Sequence, residues 1–183
     1  MNDYLPSIIK QFNYYKSLGE KTFHQIPDEK LFWKPTNESN NMAIIVKHIS
    51  GNMLSRWTDF LSSDGEKEWR NRENEFNNDI STKEELLLVW EKGWTCLFDT
   101  LNSLNSEDLS KEINIRNMGH SVLGAINRQL SHYAYHIGQI VFLGKLISNE
   151  KWESLSIPKG ASTIYNKEKF NKPKRKDHFT DDL

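Results

Sequence analysis

Two histidines four residues apart lie in a helix-like segment late in the chain. His132 and His136 are one helical turn apart, so their imidazoles share a helix face and could hold one cation together. In this segment, alternating steps of four and three residues trace the buried face of a packed helix: Val122, Ile126, Gln129, Tyr133, His136, Ile140, Leu143 and Ile147. Polar groups interrupt this face at its middle. Buried polar groups cost free energy unless they are paired or bind a metal, so a metal site is one explanation.

A catalytic metal site commonly takes three ligands from the protein and leaves a position open. The best third ligand is His48, which lies at the edge of the apolar stripe of an earlier helix-like segment. The remaining histidines lie near a helix end, before the last long helix and in the tail: His24, His120 and His178. From spacing alone, His48, His132 and His136 are explained equally well as ordinary hydrogen-bonded imidazoles.

Helical periodicity dominates the elements that must position these histidines, and strand-like alternation is hard to find. We predict four long amphipathic helices at about residues 3–25, 42–61, 82–104 and 121–148, with an extended link near 113–118. A capping box is predicted to open the third helix at Ser81-Thr82-Lys83-Glu84. The fold class is therefore all-α, a four-helix bundle. The charged link at 66–79 is long enough to cross the bundle end, so up-down-down-up and up-down-up-down are both allowed.

Length and charge narrow the function classes. The 183 residues fit one domain, predicted at 1–166, with a polar and disordered tail at 167–183. Lys and Arg number 24 against 25 Asp and Glu, which gives no electrostatic footprint for nucleic acid or for an anionic membrane. No signal pattern and no run of transmembrane length is present, so we expect a soluble cytoplasmic protein. The single cysteine, Cys96, excludes an internal disulfide and is expected to be a buried structural thiol.

Several blocks resemble a known superfamily in their order and content. The pattern is an inward His48, then His-x-x-x-His-x-x-Gln at residues 132–139, with three further blocks around them. These blocks are His48-Ile49-Ser50-Gly51-Asn52-Met53 through Arg56-Trp57, Asp64-Gly65-Glu66-Lys67-Glu68-Trp69-Arg70-Asn71-Arg72, and Ser156-Ile157-Pro158-Lys159-Gly160-Ala161-Ser162. Together they resemble the DinB-like superfamily of metal-binding four-helix bundles, in a branch described as a domain of unknown function. The likeness spans about residues 5–166.

The resemblance implies a bundle with up-down-down-up connectivity in which three histidines hold one divalent ion, usually zinc or nickel. His48, His132 and His136 all match the ligand positions. It also implies homodimers. Characterised relatives include S-transferases that use a low-molecular-weight thiol such as bacillithiol or mycothiol, and proteins assigned as metal-dependent hydrolases.

Two functions of different class follow from these observations. In the first, the protein is an enzyme whose metal activates water or the thiol of a small-molecule cosubstrate. Arg56 would then meet an anionic group of the thiol, Asn52 would lie beside the substrate, and Tyr133 and Gln139 would orient the imidazoles. Arg70 and Arg72 are further anion-binding candidates, or form surface ion pairs with Glu73 or Glu75.

In the second function, the protein is a non-catalytic, dimeric, stress-related metal-binding bundle. A structural site would be closed by a fourth protein ligand, and no fourth histidine or carboxylate stands out in the sequence. In a third, simpler interpretation, the imidazoles merely satisfy one another and no metal is bound.

Overall fold

The four amphipathic segments each form a long helix in the computed structural model, which describes residues 3–182. These helices are α1 (Tyr4–Gln25), α2 (Met42–Trp57), α3 (Lys83–Ser103) and α4 (Val122–Ser148), and a shorter helix, α5 (Ser162–Phe170), follows. The chain is thus mostly helical, in agreement with the all-α expectation. Helix α2 ends four residues earlier than predicted, although Phe60 beyond its end is still buried. Within residues 3–182, no helix combines the length and the apolar character that a membrane crossing requires.

Side chains cap the starts of three helices. Asn41 Oδ1 accepts a hydrogen bond from the Ile44 N–H at 2.9 Å, and Ser121 Oγ caps α4 in the same way. The predicted capping box is wrong by one residue. Thr82 Oγ1 accepts from the Glu85 N–H, and the Glu85 carboxylate accepts from the Thr82 N–H, each at 3.2 Å. Both registers satisfy the S/T-x-x-E pattern, and the structure adopts the second one.

The link before α4 is a β-hairpin, not the plain extended segment that the sequence predicted. Strand β1 (Glu112–Ile115) pairs antiparallel with β2 (Met118–Ser121). The two turn residues, Arg116 and Asn117, have φ values of 55° and 59°, the left-handed conformation that a two-residue hairpin turn requires. Their N–H groups both donate to the Asp64 carboxylate at 2.8 Å. The hairpin tip is thereby attached to the loop that follows α2.

Helices α2 and α3 pack closely side by side and run in the same direction. Gly93 of α3 lies against Ser50 of α2, and further along both helices Thr100 Oγ1 donates to the Trp57 carbonyl at 2.9 Å. Residue numbers therefore rise together along the contact. The long link between the two helices is what permits this parallel arrangement.

Helices α1 and α4 form a second parallel pair. Tyr4 Oη donates to Asn127 Oδ1 at 2.7 Å near the start of both helices. Near their ends, Gly144 lies so close to Thr22 that a Cβ at position 144 would collide with the threonine methyl. The core between the helices is rich in aromatic residues, and its largest fully buried side chains include Trp57, Trp90, Trp94, Tyr133, Phe12 and Phe23.

Gly93→Ala is expected to lower the free energy of unfolding. A Cβ at this position would lie 2.8 Å from Ser50 Cα, which is backbone and cannot move aside without shifting α2. Overpacking of this kind costs about 1–3 kcal/mol. The control is Gly138→Ala on the exposed side of α4, where a Cβ meets nothing within 4 Å. That change is expected to raise stability by up to about 1 kcal/mol. Equal effects of the two changes in urea denaturation would contradict the close helix contact.

The C-terminal segment packs against α1 in the structure. Lys10 Nζ lies 2.7 Å from the Asp181 carboxylate, and the Phe179 ring lies 5.4 Å from the Tyr14 ring. Helix α5 crosses the domain boundary predicted at residue 166, and both this boundary and the predicted disorder of the tail stay predictions. Residues 1, 2 and 183, which the predicted domain and tail include, lie outside the described residues.

Candidate metal centre

Helices α2 and α4 bring His48, His132 and His136 together. One ligand nitrogen from each residue can be chosen so that all three lie within 4.8 Å of one another. The Nε2 atoms of His132 and His136 are 3.1 Å apart, and the His48 ring lies 4.9 Å from the His136 ring. Side chains more than eighty positions apart in the chain therefore converge on one point, as the metal-site prediction requires.

Hydrogen bonds to Nδ1 orient two of the three imidazoles. His48 Nδ1 lies 2.9 Å from Glu75 Oε2, and His136 Nδ1 lies 3.1 Å from Gln139 Oε1. Because carboxylate and amide oxygens are acceptors, we assign a ring hydrogen to Nδ1 in both histidines, so the neutral form of each ring has its lone pair on Nε2. Metal-bound histidines commonly donate their second ring N–H to such oxygens. The donor set therefore fits a divalent ion.

Burial keeps two of these imidazoles neutral. Burial, reinforced by the neighbouring His136 and His48, lowers the pKa of His132 to about 3. Burial and His48 also lower the pKa of His136, although its hydrogen bond with Gln139 partly opposes this. Neutral imidazole is the form that binds a metal, so protons do not compete for these nitrogens near pH 7.

Glu75 is the functional residue that the sequence interpretation missed as part of the site. It lies in a 3₁₀ turn at Glu73–Phe76 and is only 5 % exposed. Arg70 donates to both of its oxygens, from Nε at 2.7 Å and from Nη2 at 3.0 Å. Burial alone raises the pKa of Glu75, but the hydrogen bonds from His48 and Arg70 outweigh it and hold the pKa below its ordinary value. The Arg70–Glu75 pair is thus a buried support for His48, whereas Arg72 and Glu73 form an exposed pair.

Two neighbours complete the environment of His48. The Phe76 ring stacks on the imidazole, with ring centroids 5.2 Å apart. Gly51, one turn after His48's own position on α2, lies directly beneath Glu75, and a Cβ there would collide with the carboxylate. A glycine in the middle of an otherwise well-formed helix was the one sequence signal for a close neighbour at this point.

Tyr133 lies under the histidines but does not hydrogen-bond to them. Its hydroxyl accepts from Trp57 Nε1 and donates to Asn52 Oδ1, each at 3.0 Å. The predicted orientation of the imidazoles by Tyr133 therefore does not occur through a hydrogen bond, because the hydroxyl faces α2. Burial raises the pKa of Tyr133, so the phenol stays protonated. Tyr133 instead joins α4 to α2 below the site.

Tyr133→Phe is expected to lower the free energy of unfolding by about 1–3 kcal/mol, because it leaves the buried Trp57 Nε1 and Asn52 Oδ1 without their partner. The control is Tyr135→Phe, two residues away on the same helix, where the side chain is 65 % exposed. Its effect is expected to stay within about 0.5 kcal/mol. Thermal unfolding monitored by circular dichroism measures both. Equal stability of the two variants would contradict a structural role of the hydroxyl.

A pocket of about 230 Å³ opens beside the histidines. Its lining includes His48, His132, Asn52 and Arg56, which places the two predicted substrate-adjacent residues next to two of the predicted metal ligands. Cys96 is not part of this lining. Cys96 is only partly buried, less than the sequence predicted. Its thiol lies 3.6 Å from Thr58 Oγ1, and this partial burial raises its pKa.

A roomier pocket of about 720 Å³ lies elsewhere, between α1 and the C-terminal segment, and His24 contributes to its wall. None of the three clustered histidines lines it. Size alone would favour that pocket, but chemistry favours the smaller one, because two of the three converging imidazoles line it.

The fold and the site together define a mostly helical protein with a partly buried cluster of three histidines. A family model described as "Protein of unknown function (DUF1572)" matches residues 1–161, and the chain belongs to this uncharacterised family. No curated protein and no solved structure matches the chain.

Proposed function

We propose that this protein is a metal-dependent enzyme in which His48, His132 and His136 hold one divalent ion, zinc or nickel. The observation that carries the proposal is the convergence of three imidazoles, two of them with Nδ1 hydrogen-bonded to an acceptor oxygen, beside a pocket. A divalent ion held by three neutral imidazoles keeps its full charge and an open position, and lowers the pKa of a water or thiol that binds there. The reaction class is transfer to or from a low-molecular-weight thiol, or hydrolysis.

The chain's own residues supply orientation rather than a nucleophile. Glu75 and Gln139 hold the His48 and His136 rings through Nδ1, while Arg70 keeps Glu75 ionised. The raised pKa keeps Cys96 protonated and the residue does not line the pocket, so an attacking thiol would come from the cosubstrate. Among residues 3–182, the cluster has three members and no fourth ligand. This favours an enzyme over a closed structural site.

Fold, assembly and location are part of the same proposal. The parallel α1–α4 and α2–α3 pairs support an up-down-down-up four-helix bundle of the DinB-like type. Exposed apolar side chains on one side of α4, among them Tyr135, Phe142 and Leu146, support a homodimer. A single unpaired cysteine agrees with a cytoplasmic location.

The test has two stages. Untagged protein is purified and its metal content is measured by mass spectrometry, beside His136→Ala and the control His24→Ala. We expect about one ion per chain in the wild type and in His24→Ala, and almost none in His136→Ala. The metal-loaded protein is then assayed for consumption of low-molecular-weight thiols with a panel of electrophiles, and for ester and amide hydrolysis. Metal binding without any of these activities would refute the enzyme and favour a non-catalytic metal-binding bundle. Absence of metal would refute the whole proposal.

A further inference from the structure

Five arginines surround the pocket beside the histidines. The lining consists of three groups from α2, three from α4, two from the charged link and one from the hairpin turn: His48, Asn52, Arg56, Arg128, Gln129, His132, Arg70, Arg72 and Arg116. No carboxylate belongs to this lining among residues 3–182. Four separate segments therefore bring guanidinium groups to one small space, although the whole chain has a formal charge of −1.

The loop after α2 holds three of these arginines in place. The Glu66 carboxylate lies 3.1 Å from Arg56, 3.1 Å from Arg116 and 3.5 Å from Arg70. Arg56 also donates to the Gly65 carbonyl, and the Asp64 carboxylate fixes the hairpin turn that carries Arg116. Three guanidinium groups thus share the single negative charge of Glu66. Of these three arginines, only Arg70 also pairs with Glu75.

The positive charge of the pocket is not balanced by its neighbours. Arg128 forms no ion pair within residues 3–182, and the hydrogen-bond partner of its side chain is His120 Nε2 at 3.3 Å. Arg72 lies 3.7 Å from Glu73, whose side chain is almost fully exposed and therefore screened by water. Two buried polar atoms of the lining, Arg56 Nε and Gln129 Oε1, have no hydrogen-bond partner within the described part of the chain. Buried polar groups without a partner are few in folded proteins, and a bound ion or ordered water is one explanation for them.

We propose that this pocket binds the carboxylate or phosphate group of a small anionic substrate and so presents the rest of that molecule to the histidine cluster. Guanidinium groups match the planar, two-oxygen edge of a carboxylate or phosphate, and several of them converge here. The volume of about 230 Å³ is below the ~300–1,000 Å³ of typical ligand pockets, which favours a compact anionic group. Anion binding by the pocket needs no metal. Only the idea that the bound molecule is a substrate of the histidine cluster rests on the proposed function.

The test is calorimetric titration of metal-free protein with inorganic phosphate and, separately, with succinate. The variant is Arg116→Gln/Arg128→Gln, which alters two of the three exposed arginines of the lining and leaves the buried pairs intact. The matched control is Lys174→Gln/Arg175→Gln, which removes the same charge from the exposed C-terminal segment. We expect saturable binding of at least one anion to the wild type and the control. Binding to the variant should be about 100-fold weaker, at about tenfold for each lost charged hydrogen-bonding group. The anion that binds more tightly indicates whether the natural ligand carries a phosphate or a carboxylate group.

Metal content, measured on each purified protein before its metal is removed, separates this inference from the proposed function. Arg116→Gln/Arg128→Gln is expected to keep its metal, and metal-free His136→Ala is expected to bind the anion still. Arginine-dependent anion binding in a protein that takes up no metal would refute the metal proposal alone. A metal-loaded protein whose metal-free form binds neither anion, or binds one equally well in both charge variants, would overturn the anion pocket.

Discussion

Replacing Glu75 by alanine is expected to lower the free energy of unfolding by about 3–5 kcal/mol, because it leaves the buried Arg70 guanidinium without its main partner. The same change removes the acceptor for His48 Nδ1, so the ring loses its fixed orientation. Loss of such a supporting group typically lowers metal affinity by about 10–100-fold. Denaturant titration gives the first quantity, and competition with a fluorescent zinc chelator gives the second.

Glu73 offers a matched control two residues earlier in the same turn. Its side chain is 91 % exposed and lies 3.7 Å from Arg72, so Glu73→Ala is expected to change stability by less than about 0.5 kcal/mol. A second variant, Glu75→Gln, keeps the size of the side chain and one acceptor oxygen. It is expected to fold better than Glu75→Ala and still bind zinc more weakly than the wild type. If both Glu75 variants bound zinc like Glu73→Ala, Glu75 would have no role in positioning His48.

The parts of the structure that the sequence predicted well are those with a long repeating pattern. Apolar residues recur along α4 for more than seven turns, so the helix and its buried face could be read from Val122 to Leu143. The same periodicity placed His132 and His136 one turn apart, and put His48 at the inner edge of α2. Helix faces put the three histidines on the inner sides of two helices but explained separate hydrogen-bonded imidazoles equally well. The resemblance to a known superfamily is what favoured their convergence.

The parts that the sequence did not reveal depend on short or irregular segments. The strands of the hairpin are four residues long, and only Ile113 and Ile115 are buried, which is too short an alternation to distinguish from a loop. Glu75 lies in a charged link with no period, close to the exposed acidic residues Glu68, Glu73 and Asp79. Glu75 differs from these residues because the folded chain places it between Arg70 and His48. No local sequence pattern indicates this placement.

Zinc is expected to raise the stability of the metal-free protein strongly. A ligand that binds only the folded state stabilises it by RT ln(1 + [L]/Kd), which is about 4 kcal/mol at a free concentration 1,000 times Kd. The folded protein offers a cluster of imidazole nitrogens within 4.8 Å of one another, and the unfolded chain offers no such cluster. The measurement is chemical denaturation of chelator-treated protein with and without added zinc.

His136→Ala decides whether this gain comes from the histidine cluster. The variant loses one of two ligands on α4, and we expect zinc to change its stability by less than a quarter of the wild-type gain. His178→Ala, in the C-terminal segment, is the control and should respond to zinc like the wild type. A wild-type protein whose stability is the same with zinc and with a chelator would mean that His132 and His136 simply hydrogen-bond to each other through their Nε2 atoms, 3.1 Å apart. A gain that persists in His136→Ala would place the metal at another site.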